Sequence, residues 1–196
     1  MAFNINEIKS QLVYGGARPT LFQCQITNPI QGAADLKVPF MVRSTTMPAS
    51  TLGTIEVPYF GRKIKVAGDR TFDTWSVTVI NDEDFLIRNA MEEWSSAINT
   101  HLENQRATGS SQTADYKSRA QVTQYSKDGL ALRTYSFEGI FPVEISDIGV
   151  DWDTTDSIEE FTVTFQYDWW NISSSRTGLG GTGTSVTAPD GTTGEA

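Results

Sequence analysis

Three aspartates, Asp151, Asp153 and Asp156, crowd the run GVDWDTTDS, a density of carboxylates that suggests a calcium loop. A helix–loop–helix calcium site needs glycine at its sixth position, for a sharp turn, and a bidentate glutamate at its twelfth. Counted from Asp151, the sixth residue is Asp156 and the twelfth is Thr162, so the pattern fails and a turn with capping carboxylates is expected. Nucleophilic catalysis needs a base beside a serine or cysteine. Cys24 and His101 are the sole residues of their kinds, and nothing in their placement ties them together. Cys24 alternates with Phe22 and Ile26, as a small buried hydrophobe would. His101 falls near the end of a predicted helix, with no second histidine or cysteine beside it to share a metal. The run VAGDR lacks the spaced glycines and the lysine of a phosphate loop. Glu159 and Glu160 are adjacent, which in a strand sends them to opposite faces. Two carboxylates drawn from distant segments, as in a glycosidase, stay open to a sequence reading. No catalytic, cofactor-binding or metal-binding residue is assigned, and no cofactor is expected.

The elements that would position any such group are predominantly strands. From Ile55 to Tyr59, then Ile64 and Val66, then Trp75, Val77 and Val79, apolar residues alternate with polar ones. This period of two predicts strands with one face on a core. Phe60-Gly61 closes a hairpin over Leu52–Ala67, and Ala67-Gly68-Asp69-Arg70 is expected to turn the chain into the next strand. Glu56, Arg62, Lys63 and Lys65 mark the hairpin's polar side, which is read either as a solvated face or as a surface pairing with another subunit.

Elsewhere, Ile5, Ile8 and Leu12 predict a short helix over Asn4–Tyr14, which needs a partner surface. Strands are expected over Thr20–Thr27 and Lys37–Thr46, the latter at an edge because Pro39 lacks a ladder donor. The stretch between them, Asn28–Asp35, reads as a loop. Asn81-Asp82 is expected to cap a helix over Glu83–Glu103, with Ile87, Ala90, Met91, Trp94, Ile98 and Leu102 on one face. A polar loop spans Asn104–Ala114, and Asp128-Gly129 predicts a hairpin between Tyr116–Lys127 and Leu130–Gly139. Val143, Ile145, Ile148, Val150 and Trp152 alternate with a phase change near Asp147, which predicts a bulge. Phe161 to Trp169 predicts one long last strand.

Composition bounds the reading. The 196 residues, 38% hydrophobic and 11% aromatic, suffice for one domain with a core. Residues 1–172 are taken as a single β domain and 173–196 as a flexible tail rich in Gly, Ser and Thr. A net charge of −9 argues against tight binding of phosphate backbones. No apolar run approaches the roughly 20 residues that span a bilayer, and the N-terminus lacks the pattern of a secretory signal, so no membrane anchor or export leader is expected.

Four segments together resemble one known family. ARPTLFQCQI, RKIKVAGDRTFDTWSVTVIND, ADYKSRAQVTQYSKDG and GVDWDTTDSIEEFTVTFQYDWW are similar, in this order, to the tail tube proteins of contractile-tailed bacteriophages. The resemblance runs from about Arg18-Pro19 to Trp169. It implies a mainly β protein, a small antiparallel β-barrel or sandwich with one flanking α-helix and a long hairpin used in ring assembly. It implies a non-enzymatic virion subunit, made in the host cytoplasm, whose hexameric rings stack into a tube inside a sheath on a baseplate. DNA would pass through that tube without being held. On this reading Tyr59, Phe60, Arg62, Lys63, Lys65, Asp69 and Arg70 are the candidate subunit-interface residues. Two alternatives remain at this point. One is the inner tube of a bacterial contractile injection system, which carries protein effectors. The other is a monomeric carbohydrate-binding β-sandwich with exposed aromatic platforms, disfavoured because most tryptophans are expected on core faces or, as Trp169 and Trp170, at a strand end.

Overall fold

A computed structural model describes residues 5–12, 16–103, 105–106 and 112–175. Along the chain it has α1 (Ile5–Gln11), β1 (Phe22–Ile26), α2 (Val38–Met41), β2 (Val42–Thr45), β3 (Thr51–Tyr59), β4 (Arg62–Thr71), β5 (Trp75–Ile80) and α3 (Leu86–Ile98). There follow α4 (Thr113–Tyr116), β6 (Ser118–Tyr125), β7 (Ala131–Ile145), β8 (Glu160–Gln166) and β9 (Trp169–Ser175). Seven strands join in the order β1-β6-β7-β8-β5-β2, with β9 also on β7 and every pair antiparallel. The remaining two strands, β3 and β4, pair with each other.

One strand makes two layers out of this path. Residues 131–140 of β7 pair with β6, and residues 141–145 pair with β8. Near the end of the first stretch Gly139, passed over in the β6 register between Glu138 and Ile140, has φ +69°, a backbone conformation that only glycine adopts freely. The bend folds the β1-β6-β7-β9 layer over the β8-β5-β2 layer. Trp75 of β5 stacks on Phe137 of β7 across the interior, ring centroids 4.4 Å apart. Phe165 on β8 joins them, 5.5 Å from Trp75. Burying residues of this size contributes about 1.5–3 kcal/mol each. The fold is therefore mainly β and antiparallel, as the resemblance to the tail tube proteins implies.

Helix α3 closes one opening of the sandwich with Ile87, Ala90, Met91, Trp94 and Ala97, all buried. Trp94 donates its indole N–H to the carbonyl of Tyr116 at 2.8 Å, so its burial leaves no orphaned donor. The helix is shorter than predicted. Phe85 sits at φ 50°, which breaks the helical path before Leu86, and Asn99 is extended after Ile98. Asp82 and Asp84 do not extend the helix. They grip Lys37 from both sides at 2.6 Å. Leu102 lies beyond the helix and is exposed.

Several other expectations are corrected. The strand predicted from Lys37 begins as α2, because Pro39 falls in the first helical turn, where a missing N–H costs nothing. Val38 is buried there and Phe40 is exposed. The loop 28–35 contains a short 3-10 turn, Gly32–Ala34, organised by Asn28. Asn28 is buried; its amide donates to Ala90 O at 2.9 Å and its Oδ1 accepts from Ile30 N and Gln31 N. The bulge expected near Asp147 falls at Val143, which has no partner between Pro142 and Glu144. Strand β7 then stops at Ile145, so Val150 and Trp152 lie in a long loop, 146–159, instead of a strand. The last strand is two: β8 ends at Gln166 and the chain crosses to the other layer as β9. Strand β9 runs to Ser175, taking residues 173–175 into the sheet, while the rest of the expected tail lies outside the described residues. The N-terminal helix forms over Ile5–Gln11, and Ile5, Ile8 and Leu12 are exposed.

Candidate assembly interface

The residues first considered for chemistry have been separated by the fold. The Cys24 thiol is fully buried, and desolvation pushes its pKa to about 12, which suppresses the reactive thiolate. His101 is exposed, and its Nδ1 lies 3.5 Å from Ser96 Oγ. Asp151 turns back on its own loop, accepting from the backbone N–H of Asp153 at 3.1 Å. Glu159 accepts from the side chain of Asn81 at 3.0 Å, whereas Glu160 pairs with Arg43, so the two carboxylates are committed to different partners. Among the described residues no group of three or more His, Cys, Asp or Glu is placed to hold a metal ion.

All seven candidate interface residues lie on the β3–β4 hairpin. Its turn has φ 42° at Phe60 and 80° at Gly61. Positive φ at both central residues is the type I′ geometry that matches strand twist, and Asn-Gly is its usual sequence. An aromatic at that first position is unusual, and Phe60 is 91% exposed. Tyr59 packs edge-on against it at 4.7 Å.

The register sorts the hairpin into two faces. Ile55 lies opposite Val66, Val57 opposite Ile64, and Tyr59 opposite Arg62. Directly opposed residues share a face, so these six form one mostly apolar surface. Glu56 opposite Lys65 and Pro58 opposite Lys63 form the other face, where Lys63 Nζ reaches Glu56 at 2.6 Å. The alternation predicts a core beneath the apolar face. The structure places no core there: Ile55, Val57, Ile64 and Val66 all stand about half exposed. A two-stranded ribbon is marginal in water, and a contiguous apolar surface on a soluble chain marks an interface.

The hairpin is nonetheless held firmly at its root. Trp75 donates to Thr46 O at 2.9 Å and Trp170 to Ala49 O at 3.2 Å, which pins the chain entering β3. Phe72, just after β4, packs on Tyr167 at 5.9 Å. The four residues expected to turn the chain, Ala67 to Arg70, lie instead within β4. There Gly68 and Asp69 oppose the single residue Gly53, forming a bulge. A Cβ on Gly68 would lie 3.1 Å from Gly53 O, so glycine permits this close passage. Asp69 and Arg70 therefore sit near the root, while Tyr59, Phe60, Arg62, Lys63 and Lys65 lie toward the tip. The apolar quartet Ile55, Val57, Ile64 and Val66 was missed as interface. Its alternation is indistinguishable from that of a core strand.

The comparisons with known proteins agree with this architecture. The family model described as phage tail tube protein matches residues 17–173. The tail tube protein gp19 of Enterobacteria phage T4 is 37% identical over 155 residues, covering 79% of this chain and 90% of the relative. The tail tube protein of Serratia phage KSP90 is 27% identical over 168 residues, covering 83% and 93%. Among solved structures, the sheath/tube terminator of the extracellular contractile injection system PVC has a TM-score of 0.60 at 14% identity, covering 81% of this chain and 97% of that one. The cap of the anti-feeding prophage has a TM-score of 0.59 at 18% identity, covering 80% and 90%. These two likenesses carry the fold alone. The match over most of the chain and the 37% identity carry more: the chain belongs to the phage tail tube protein family.

Proposed function

We propose that this protein is a non-enzymatic building block whose copies form hexameric rings stacked into the inner tube of a contractile phage tail. The projecting hairpin carries this reading: it is rigid at its root, apolar on one face and uncovered in the isolated subunit. A second copy supplies the missing cover. Tube, sheath and baseplate assemblies appear among the structures of like fold, which fits a tube that seats on a baseplate and carries a sheath. The phage reading is preferred over an injection device because the relatives similar in sequence are phage proteins, at 37% and 36% identity. The injection-system likenesses stand at 12–18%. The genome would slide through the lumen without tight contact, in keeping with the net charge of −9.

The test is assembly itself. Purified full-length chain, alone and on a baseplate complex, is expected to give hollow tubes in negative-stain micrographs without any added cofactor. A strictly monomeric species under both conditions overturns the reading.

A further inference from the structure

We propose that the loop 146–159 is the docking surface for the tip of the β3–β4 hairpin of a second copy of this chain. The inference rests on the tube reading and deepens it by naming the surface that receives the hairpin.

The loop is built to present, not to cover. Trp152 is 101% exposed, and Val150 and Ile158 are also uncovered. This is not the exposure of an untethered segment. At one end Ser146 exchanges backbone and side-chain hydrogen bonds with Thr162, at 2.8 and 2.9 Å, and Arg88 donates to Ser146 O at 3.1 Å. At the other end Asn81 holds Glu159 through its side chain and through a backbone bond of 2.8 Å to Glu159 O. The stem is fixed and the apolar side chains stand out from it. A tryptophan left wholly in water, on a fixed stem and beside two further apolar residues, is the composition of an interface anchor.

Charge selects the occupant. The loop carries Asp147, Asp151, Asp153, Asp156 and Glu159 and no Lys or Arg. The hairpin tip carries Arg62, Lys63 and Lys65 against the single acid Glu56. Glu56 engages Lys63, and among the described residues Arg62 and Lys65 have no carboxylate partner. The tip also supplies Tyr59, Phe60 and the apolar rungs behind them, matching Trp152, Val150 and Ile158 in kind. The tip, with Tyr59 and Arg62 ending its apolar face and Lys63 and Lys65 on the reverse, thus has on the same chain an exposed apolar loop set with carboxylates.

Topology decides that the partner is another copy. The hairpin feeds into β5 at Trp75, which pairs with Phe165. The loop enters β8 at Glu160, which pairs with Ile80 at the other end of β5. Five strand steps separate the two ends, about 17 Å. Phe60 and Trp152 are both exposed, so they do not cover each other within the subunit. Complementary patches at opposite ends of one molecule meet only head to tail. Such a contact is heterologous, the kind from which both closed rings and open stacks are built.

Cross-linking tests this directly, because Cys24, the sole native cysteine, is buried. Full-length chains bearing Lys63→Cys and Thr155→Cys, exposed positions beside the aromatic anchors, are mixed, assembled and mildly oxidised. A disulfide between the two variants is expected in tubes and absent from dispersed subunits. In a second arm, Arg62→Glu with Lys65→Glu is expected to lower tube yield by about tenfold or more, since like charges at a contact are strongly penalised. Asp153→Lys with Asp156→Lys is expected to do the same, and mixing the two charge-reversed chains restores tubes. The proposal is overturned if tubes form while the cysteine at 155 stays open to maleimide labelling, or if Asp153→Lys with Asp156→Lys leaves the yield unchanged. Neither result touches the tube reading, which fails only if the unaltered chain forms no tubes.

Discussion

The carboxylate of Asp168 lies directly over Gly139, so that a Cβ on Gly139 would fall 2.8 Å from Asp168 Cγ. Asp168 belongs to the two-residue crossing between β8 and β9, and its backbone N–H donates to Glu138 O at 3.0 Å. Lys117 holds its carboxylate in place at 2.7 Å. The bend of β7 and the passage of the chain between layers therefore occupy one point, and glycine makes room for both. Replacing Gly139 by alanine adds a left-handed strain and a steric clash. Gly139→Ala is expected to destabilise the subunit by about 2–4 kcal/mol, read as a lower denaturant midpoint with an unchanged slope.

Phe60 allows folding and assembly to be separated. Asparagine suits a positive φ far better than phenylalanine does. Phe60→Asn is expected to keep the subunit's melting temperature within about a degree or raise it slightly, since the ring is exposed and the turn is relieved. The same change removes a large aromatic from the proposed contact and should sharply reduce tube yield. Equal tube yield would make Phe60 a bystander, and a collapse in melting would make it part of the subunit's core.

Lys37 with Asp82 and Asp84 predicts an acid limb in stability. Hydrogen bonding to Lys37 lowers the pKa of both aspartates below their ordinary 3.8, and the same bonds raise that of Lys37. A carboxylate whose pKa falls on folding stabilises the native state above its unfolded value. That contribution is lost as pH drops through the lower, folded value. Melting temperature is therefore expected to decline as pH falls below about 4, and Lys37→Met should flatten that decline. At the alkaline end Lys37 behaves oppositely: its contribution is complete below its ordinary 10.5 and is lost as pH rises through its raised, folded value. The three groups are solvated, so the effect is modest.

Transit of nucleic acid predicts weak binding. A channel that gripped phosphates would stall its cargo, and each lysine contact adds a salt-sensitive attraction. Assembled tubes are expected to leave duplex DNA unshifted in a gel at low salt. A tight complex that dissolves steeply with added salt would mean that Arg62, Lys63 and Lys65 line the channel instead of facing carboxylates.

Local pattern was enough to determine much of this protein. Alternation along Trp75–Ile80 and Glu160–Gln166 specifies strands because a period of two can bury only one face. Asp128-Gly129 specifies its hairpin because glycine reaches positive φ there. The spacing of Ile87, Ala90, Met91 and Trp94 specifies a helical face. Each of these signals is local, and the four resembling segments identify the family for the same reason.

Tertiary structure decided what each apolar face meets. Ile55, Val57, Ile64 and Val66 alternate as cleanly as Val77 and Val79, yet one set faces outward and the other is core. Nothing within a strand distinguishes a face waiting for another subunit from one covered by its own. Trp152 reads as a strand residue until β7 ends at Ile145, a stop that depends on how Ser146 meets Thr162 across the sheet. The division of Phe161–Trp169 into two strands depends on Gly139 and Asp168, 29 residues apart in sequence and in contact only after β7 has bent. Periodicity reports that a side chain seeks cover, and only the assembled sheet shows whether the subunit supplies it.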